Sequence, residues 1–555
     1  MDEMIRLTDN RGYSVELPKG STLDAARQAL PPFRWHPVAA LVNGALQEMD
    51  YPLHVNSEVR WLDLNTNSGW RIYRRSLIFL LDAAVSELYP ERRLWVSHSL
   101  DAGVFCRLEN GPDITREEVA RLADHVRELI DADLPLTRER WSKADAITYF
   151  REHGDDDKAD LVEGRPVDYL YMYCLHDFKD YHFGRMAIRT GLLERFSLHA
   201  FDGGFVLRLP ARTYLGMREK DRINVTQLHA TLREYDDWTQ LLGIRTVTAL
   251  NKVVRSGASA FNELILVAET LYERRLEEIS DYVASHLPEK QVLLLAGPSS
   301  SGKTTTLKRL GIQFRTLGVK PLLISMDDYY LDRDQTPRNE RGFLDFENPN
   351  AINLPLFQQH MEALLRGEEV GLPAYDFING VSLPDQRRIR LDDRSVLMVE
   401  GLHALNGLVS DRLPRERLVK IFLSALTQLN MDHASTISTA DNRLLRRIAR
   451  DMNFRGIEPS DNLARWDEVR RGEQHYIFPY QEEADFFINS ELIYELPILR
   501  TLVEAPLAAI GPDDPSYLEA RRLLRFLSYI EPALPENVPR NSILQEFIGN
   551  SIFAV

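Results

Sequence analysis

The stretch from Gln291 to Leu310 constrains this chain of 555 residues more than any other. It opens with an apolar run, Val292 to Ala296, which has the length and composition of a buried parallel strand. The next residues, Gly297 to Thr304, match the Walker A pattern G-x-x-x-x-G-K-[ST], and leucines then recur at helical spacing. A strand, a glycine-rich loop and a helix in this order predict an α/β domain with a phosphate-binding loop (P-loop). The alternative is a chance match in a turn rich in glycine and serine.

The P-loop pattern predicts a particular chemistry. Its glycines let the backbone approach a polyphosphate with N–H groups pointing inward, and the following helix directs its positive N-terminus at the same phosphates. Lys303 is expected to reach the β- and γ-phosphates of ATP, and the Thr304 hydroxyl is expected to ligate Mg²⁺. The residues expected to contact ATP here are Gly297, Pro298, Ser299, Ser300, Ser301, Gly302, Lys303, Thr304 and Thr305.

Length and composition limit the class of protein. A chain this long predicts about three or four domains. Its net charge, 67 − 83 = −16, argues against a general nucleic-acid coat. Its only cysteines, Cys106 and Cys174, form no disulfide framework and suit a reducing compartment. With no secretory signal and no apolar run of membrane-spanning length, we expect a cytoplasmic protein without membrane contact.

The first 64 residues predict a small β-rich module, because apolar and polar residues alternate along short segments separated by turn residues. Two motifs, Gly20 to Leu23 and Ala40 to Gly44, resemble the TGS domain. That domain is a ubiquitin-like, β-grasp fold found in threonyl-tRNA synthetases and some GTPases. The resemblance implies the same fold here.

Residues 65–212 predict a mixed α+β domain. The segments that resemble the second, editing-type domain of threonyl-tRNA synthetases are Tyr73 to Ser76, Gly103 to Phe105, Thr190 to Gly191 and Phe205 to Arg208. In that family a His-x-x-x-His pair, with a later Cys and His, can hold a metal or an editing site. Here the first pair falls on Arg75 and Phe79, and Cys174, His176 and His182 do not keep the second spacing. The alternatives are a residual metal site and, as we expect, scattered histidine and cysteine residues in a folded domain. The resemblance therefore implies a binding or regulatory domain without deacylase activity, and contact with tRNA or RNA stays open.

Two further apolar runs in the nucleotide-binding region end in acidic residues. Pro321 to Ser325 leads into Asp327 and Asp328, and Ser395 to Val399 leads into Glu400. In an open parallel sheet, ligand-binding residues lie at the carboxyl ends of strands. An aspartate there can accept a hydroxyl proton during phosphoryl transfer, and a glutamate can order Mg²⁺. The alternative is that the aspartates only cap the next helix.

Aromatic and basic residues downstream suggest binding sites. The segments Leu344 to Pro349 and Leu372 to Phe377 place aromatic rings beside carboxylates, which suits a sugar diol and a flat base but also suits loop anchors. Several arginines recur at helical spacing between Asp441 and Asp451, with Arg455 beyond. They predict a lid over the transferred phosphate or, alternatively, surface ion pairs.

Taken together, these motifs from Gln291 to Asn489 resemble the uridine kinase and phosphoribulokinase group. The resemblance implies that Asp327 is the base that activates the acceptor hydroxyl, alongside Lys303 in the catalytic site. It implies the following further roles: acceptor binding by Tyr330, Phe346, Glu347 and Tyr375; phosphate binding by Lys303, Arg446, Arg447, Arg450 and Arg455; and Mg²⁺ binding by Thr304, Asp327 and Glu400.

The sequence thus predicts an α/β protein with a P-loop, parallel-sheet kinase core at 289–490. A β-grasp module, an α+β domain and a helical connector (213–288) precede it, and a helical extension (491–555) follows. We expect ATP- and Mg²⁺-dependent phosphorylation of a nucleoside 5′-hydroxyl. Gly380, however, lies where uridine kinases carry the histidine that reads the base. A kinase for another alcohol such as a sugar phosphate, and a translation-linked nucleotide-binding switch, remain alternatives, and a homo-oligomer stays open.

Overall fold

The computed structural model describes residues 3–100, 103–217, 225–339, 342 and 344–553. The chain divides into two compact units. The first unit comprises Met1–Arg222, Arg245–Thr248 and Asn430–Thr436, and the second comprises Ile223–Ile244, Ala249–Leu429 and Ile437–Val555. Among the described helices, none combines the length and the apolar character that a membrane span needs.

The N-terminal part of the first unit is a mixed five-stranded sheet with one helix. Its elements are β1 (Met4–Asp9), β2 (Ser14–Pro18), α1 (Leu23–Gln28), β3 (Ala39–Val42), β4 (Ala45–Glu48) and β5 (Ser57–Leu62). The strand order is β2-β1-β5-β3-β4, with β1 and β5 parallel and the other pairs antiparallel. Alternate strand residues bury an apolar core that includes Leu7, Leu23 and Trp61. This is the predicted β-grasp fold, and the alternation that predicted it is the pattern of a half-buried sheet.

The rest of the first unit is an α+β fold, as predicted. Its elements are α2 (Asn67–Leu88), β6 (Arg93–Leu100), β7 (Gly103–Glu109), α3 (Arg116–Asp131), β8 (Thr137–Ser142), α4 (Lys143–Glu152), α5 (Asp156–Glu163), β9 (Tyr169–Leu175), β10 (Phe178–Asp180), β11 (Ser197–Phe201) and β12 (Gly204–Arg208). They form two antiparallel sheets, β11-β12-β7-β6 and β10-β9-β8. A capping box between Thr115 and Glu118 starts α3. Helix α2 begins at Asn67, where the Thr66 side chain caps it.

Helices open the second unit and lie beside its nucleotide-binding core. They are α6 (Thr226–Leu242), α7 (Val247–Arg255) and α8 (Ala258–Ser285). Helix α8 packs against the helix that follows the P-loop: Tyr272 Oη lies 2.6 Å from Thr306 Oγ1, and Arg309 Nη1 donates to Glu269 Oε2 at 3.0 Å. The predicted helical connector therefore packs against the helix that follows the P-loop.

The core of the second unit is an all-parallel, five-stranded sheet in the order β14-β17-β13-β18-β19. Its elements are β13 (Val292–Ala296), α9 (Lys303–Thr316), β14 (Lys320–Ser325), α10 (Leu354–Leu365), β15 (Glu369–Asp376), β16 (Val381–Arg390), β17 (Ser395–Gly401), α11 (Gly407–Ser410), β18 (Leu418–Ser424), α12 (Thr439–Arg455), α13 (Pro459–Tyr476), β19 (Phe486–Asn489), α14 (Glu495–Ala508), α15 (Tyr517–Leu527) and α16 (Gln545–Ile548). Strands β15 and β16 form a separate antiparallel hairpin. The predicted fold class is confirmed, while the boundaries proposed for the five segments stay a prediction.

Candidate active site

The P-loop joins β13 to α9 through a turn that requires glycine at two positions. A Cβ on Gly297 would lie 2.1 Å from the carbonyl oxygen of Leu423, so any side chain there would collide with the neighbouring strand. Gly302 has φ +87°, in the left-handed region, and directly precedes the first residue of α9. The loop thereby presents the N-terminus of α9 to any anion that it encloses.

Three oxygen-bearing side chains converge beside this loop. The Glu400 carboxylate, at the end of β17, accepts from Ser325 Oγ at 3.0 Å and from Thr304 Oγ1 at 3.4 Å. The Lys303 ammonium donates to the carbonyl oxygens of Gly297 (3.0 Å) and Pro298 (3.2 Å). Hydroxyl and carboxylate oxygens are the ligands that Mg²⁺ prefers, so Thr304 and Glu400 fit the metal that the P-loop implies.

Asp327 lies one strand over, in a short 3₁₀ helix from Met326 to Tyr329. The side chain that caps this helix is Ser325, which accepts from the Asp327 backbone N–H at 3.3 Å. Burial raises the pKa of the Asp327 carboxyl, while Lys303 opposes that shift, and Asp327 in turn adds to the burial that raises the pKa of Glu400. Ser325, and not Asp327, caps this helix, and the charges of Lys303 and Glu400 are close enough to Asp327 to interact with it.

Aromatic rings form a cluster next to Asp327. Tyr330 lies at its centre, with ring centroids 5.4 Å from Phe346, 5.6 Å from Tyr375 and 6.3 Å from Phe377. The Tyr330 hydroxyl donates to the Phe346 carbonyl at 3.2 Å, which fixes the ring's orientation. Three of the predicted acceptor-binding residues thus pack together in one aromatic cluster.

Polar atoms without partners border that cluster. Within the described chain, Glu347 Oε2 and the Tyr375 hydroxyl are buried and make no hydrogen bond. Burial raises the pKa of Glu347 to about 7, with Glu473 adding to the shift and Arg447 opposing it. A buried polar atom left unpaired costs about 1–3 kcal/mol, so these atoms mark a place where a ligand hydroxyl would restore the missing bonds.

The structure does not support the prediction that Arg446 binds phosphate. Its side chain is fully buried, and its guanidinium is held by Glu495 (Nη2–Oε2, 2.5 Å) and by the Ser490 carbonyl (2.6 Å). A phenyl ring, that of Phe547, covers it at 4.9 Å. Because its donors are engaged within the protein, Arg446 anchors α12 beneath the P-loop.

The other predicted phosphate-binding arginines are better placed. Arg447 Nη1 donates to Ser299 Oγ of the P-loop at 3.1 Å. Arg450 and Arg455 lie 2.7 and 3.6 Å from Asp451 and are close enough to Asp327 to oppose the rise of its pKa. For these three arginines, phosphate binding stays a prediction.

Sequence reasoning missed several residues that shape the loop. Arg443 is buried, pairs with Glu473 and donates from Nε to the Ser299 carbonyl at 2.9 Å, while Glu473 accepts from the Ser299 N–H at 3.1 Å. Glu546, in the C-terminal extension, accepts from Thr305 Oγ1 at 2.7 Å and from the Thr305 N–H at 3.3 Å. A Glu or Arg distant in sequence carries no local signal for such contacts.

His403 was missed as well. Its side chain is buried, and its ring interacts with the backbone of Glu347 and of Tyr476. Burial, with Lys303 nearby, lowers the pKa of His403 to about 4, so the imidazole is neutral at pH 7. Its position three residues after Glu400 at the end of a buried strand was the available signal.

The first unit contains charged residues, but they pair with each other. Asp82, Asp180 and His433 offer ligand atoms within 4.8 Å of one another. However, the Lys158 ammonium lies 2.6 Å from Asp180 and 3.3 Å from Asp432. Although burial acts against it, pairing with Asp82 and Asp155 raises the pKa of His433 to about 9, so this histidine is charged and unsuited to bind a metal.

At the two positions where the synthetase family carries its first histidine pair, the structure has a packed interior. Arg75 Nη1 donates to the Arg185 carbonyl at 2.6 Å, and the Phe79 ring packs at 5.5 Å against His182. Cys174 and His176 lie outside the group of potential metal ligands found among the described residues. These contacts agree with the interpretation of scattered histidine and cysteine residues in a folded domain.

Comparisons with known proteins give different relatives for the two parts of the chain. The profile of the Phosphoribulokinase / Uridine kinase family matches residues 292–492. The first part resembles the threonine–tRNA ligase of Syntrophomonas wolfei, 28% identical over 203 residues, or 36% of this chain and 32% of that protein. The chain thus spans about a third of the length of such ligases.

Two further proteins are similar to this chain. A solved structure from Bacillus stearothermophilus, described as a possible uridine kinase, is 20% identical with a TM-score of 0.23 and covers 27% of this chain and 79% of its own. The uridine kinase of Halobacterium salinarum is 30% identical over 196 residues, which are 35% of this chain and 77% of that enzyme. The chain therefore belongs to the phosphoribulokinase/uridine kinase family.

Proposed function

We propose that this protein is an ATP- and Mg²⁺-dependent kinase that phosphorylates the 5′-hydroxyl of a nucleoside. The observation that carries the proposal is that Glu400 contacts Thr304 and Ser325 beside the P-loop, and that Asp327, two residues after Ser325, influences Glu400 and is influenced by Lys303. A nucleotide-binding switch needs no carboxylate aimed at an acceptor, whereas a kinase does.

The residues divide the work of the transfer. The Asp327 carboxylate takes the proton of the acceptor hydroxyl as that oxygen bonds to the γ-phosphorus, and the bond from the γ-phosphorus to the β,γ-bridging oxygen breaks to release ADP. Lys303 and the guanidinium of Arg447 hold the phosphate oxygens. Thr304, Glu400 and Asp327 would hold Mg²⁺, which neutralises phosphate charge when bound.

The acceptor pocket supports a nucleoside. A flat base packs among the rings of Tyr330, Phe346 and Tyr375, and the unpaired oxygen of Glu347 accepts from the ribose hydroxyls. Because Gly380 lacks the expected base-reading side chain, a sugar phosphate is the second candidate acceptor.

The first unit is proposed to bind tRNA or another RNA. This rests on the resemblance of its TGS-like and editing-like parts to threonine–tRNA ligases. Titration of the full chain with total tRNA, followed by a gel shift, tests it; no shift at micromolar protein and 50 mM salt contradicts it.

The kinase proposal is tested with a panel of acceptors. The full chain is incubated with Mg²⁺, ATP labelled at the γ-phosphate, and either a nucleoside or a sugar phosphate, and labelled products are separated by chromatography. We expect labelled nucleoside 5′-monophosphate. A labelled sugar bisphosphate would favour the second candidate, and release of free phosphate alone would contradict the kinase.

A further inference from the structure

The backbone at Gly380 shows what replaces the expected histidine. Gly380 has φ +72°, and a Cβ at this position would lie 2.6 Å from Arg333 Nε and 2.8 Å from Arg333 Cζ. The Arg333 backbone N–H donates to the Gly380 carbonyl at 2.9 Å. The arginine therefore occupies the space where any side chain of residue 380 would begin, and Gly380 is needed to admit it.

The Arg333 guanidinium lies at the edge of the aromatic cluster. Its Nη2 donates to the Phe377 carbonyl at 2.8 Å, and the Phe377 ring lies 5.0 Å from that of Tyr375. Burial raises the pKa of Tyr375, and the nearby Arg333 is the main influence that opposes this rise. The guanidinium thus lies beside the same rings that are proposed to hold the base.

The neighbouring acids are committed elsewhere. Asp376 accepts from the backbone N–H groups of Ile378 and Asn379 at 2.9 and 3.0 Å, and Asp332 accepts from the Ser382 N–H at 2.8 Å. Within the described part of the chain, Arg333 forms no ion pair within 4 Å, although its charge helps to lower the pKa of Asp376. Because the Arg333 side chain is exposed, its donors other than Nη2 remain available beside the aromatic cluster.

We infer that Arg333 reads the base of the acceptor and selects nucleosides whose base carries a carbonyl oxygen at C4 of a pyrimidine or at C6 of a purine. A guanidinium only donates hydrogen bonds, whereas a neutral histidine both donates and accepts. Arg333 thus pairs with the carbonyl of uracil or hypoxanthine and meets the amino group of cytosine or adenine donor to donor. This inference rests on the proposed nucleoside kinase activity.

The test compares matched pairs of nucleosides with the full chain. Uridine against cytidine, and inosine against adenosine, differ in a carbonyl or an amino group at one ring position. We expect kcat/KM to favour the carbonyl member of each pair by about tenfold or more, since an unpaired donor costs about 1–3 kcal/mol. The variant Arg333→Gln offers both a donor and an acceptor, and its preference should fall below about threefold.

Two further variants separate base reading from support of the hairpin. Arg333→Lys keeps a donor-only cation and should keep part of the preference. The KM for ATP should stay at the wild-type value in Arg333→Lys and in Arg333→Gln. Arg388→Gln is the matched control. Arg388 lies exposed on the β15–β16 hairpin, which Arg333 contacts, and it pairs with Asp385. This control variant should leave the preference unchanged.

The outcomes distinguish the two claims. If the wild type phosphorylates all four nucleosides equally, or if Arg333→Gln keeps the wild-type ratio, the inference about Arg333 is wrong and the kinase proposal stands. If the wild type phosphorylates no nucleoside, both claims are wrong.

Discussion

Two buried clusters, one in each unit, differ in how their polar atoms are satisfied. In the cluster around Lys158 in the first unit each charge meets an opposite charge: Lys158 Nζ lies 2.6 Å from Asp180, and Arg93 Nη2 lies 2.7 Å from Asp155. Beside the aromatic cluster of the second unit, among the described residues, Glu347 Oε2 and the Tyr375 hydroxyl are buried without a hydrogen-bond partner.

The difference teaches which buried cluster serves a ligand. A cluster whose charges neutralise each other has no free group with which to bind a ligand. Breaking such a cluster lowers the stability of the folded protein. Polar atoms that stay unpaired cost stability in the folded protein and are retained where a ligand completes them. The Lys158 cluster of the first unit is therefore interpreted as structural, and Glu347 with Tyr375 in the second unit as functional.

The largest expected effect is at Asp327. Asp327→Asn keeps the shape but removes the base, so we expect phosphoryl transfer to fall by about 10³-fold. ATP binding, measured by calorimetry, should change little. Asp328→Asn is the control on the neighbouring residue and should cost less than about tenfold in rate. If Asp327→Asn and the wild type turn over equally, Asp327 is not the catalytic base. The functional interpretation of the second unit would then lose its main support.

The next largest effect is expected at the buried ion-pair cluster around Lys158 in the first unit. Lys158→Met leaves Asp180 and Asp432 buried without their cation, which should lower the free energy of unfolding by about 3–5 kcal/mol. Denaturant unfolding of the full chain, followed by tryptophan fluorescence, measures it. Lys179→Met is the control, because its part-exposed pair with Glu139 should contribute less than about 1 kcal/mol. A stability equal to wild type in Lys158→Met would break the structural interpretation.

A third effect sharpens the comparison through pH. Burial raises the pKa of Glu347 to about 7, with Glu473 and Asp345 adding to the shift and Arg447 and Lys303 opposing it. The ionised form accepts from acceptor hydroxyls and is lost as pH falls through 7. We therefore expect the KM for the acceptor to rise about tenfold from pH 8 to pH 6. Glu347→Gln should show a high KM with no such dependence, and a wild-type KM that is flat over this range would contradict the role.

The smallest effect is at Glu546, whose carboxylate contacts the first turn of α9. Because a negative charge there repels the phosphates of ATP, Glu546→Gln should lower the KM for ATP by about two- to fivefold, or about 0.5–1 kcal/mol. Glu536→Gln, exposed in the same C-terminal extension, is the control. A KM for ATP that rises in Glu546→Gln would show instead that the carboxylate supports the loop.

The fold could be predicted from the sequence where its signals are local. The run from Val292 to Ala296 and the strand ending at Glu400 are continuous apolar segments, and the structure has them as β13 and β17. Thr115 and Glu118 form the capping box because both partners lie within four residues. Such patterns depend on neighbours in sequence and therefore survive without knowledge of tertiary contacts.

The fate of the arginines could not be predicted in the same way. Arg446 and Arg447 are adjacent in α12, yet one is buried against Glu495 and the other contacts Ser299 in the P-loop. Which of them turns inward depends on a glutamate 49 positions away, and helical spacing carries no information about it. The same holds for Arg333. Its position depends on Gly380, which the turn between β15 and β16 brings close to it.

The most direct measurement is a crystal structure of the full chain with Mg²⁺, a non-hydrolysable ATP analogue and uridine. The account predicts that the uridine 5′-hydroxyl lies within hydrogen-bond distance of Asp327, that Glu347 and Tyr375 bond the acceptor, and that the Lys158 cluster keeps its pairs. A nucleoside bound elsewhere, or Asp327 turned away from it with Glu347 still unpaired, would contradict the account.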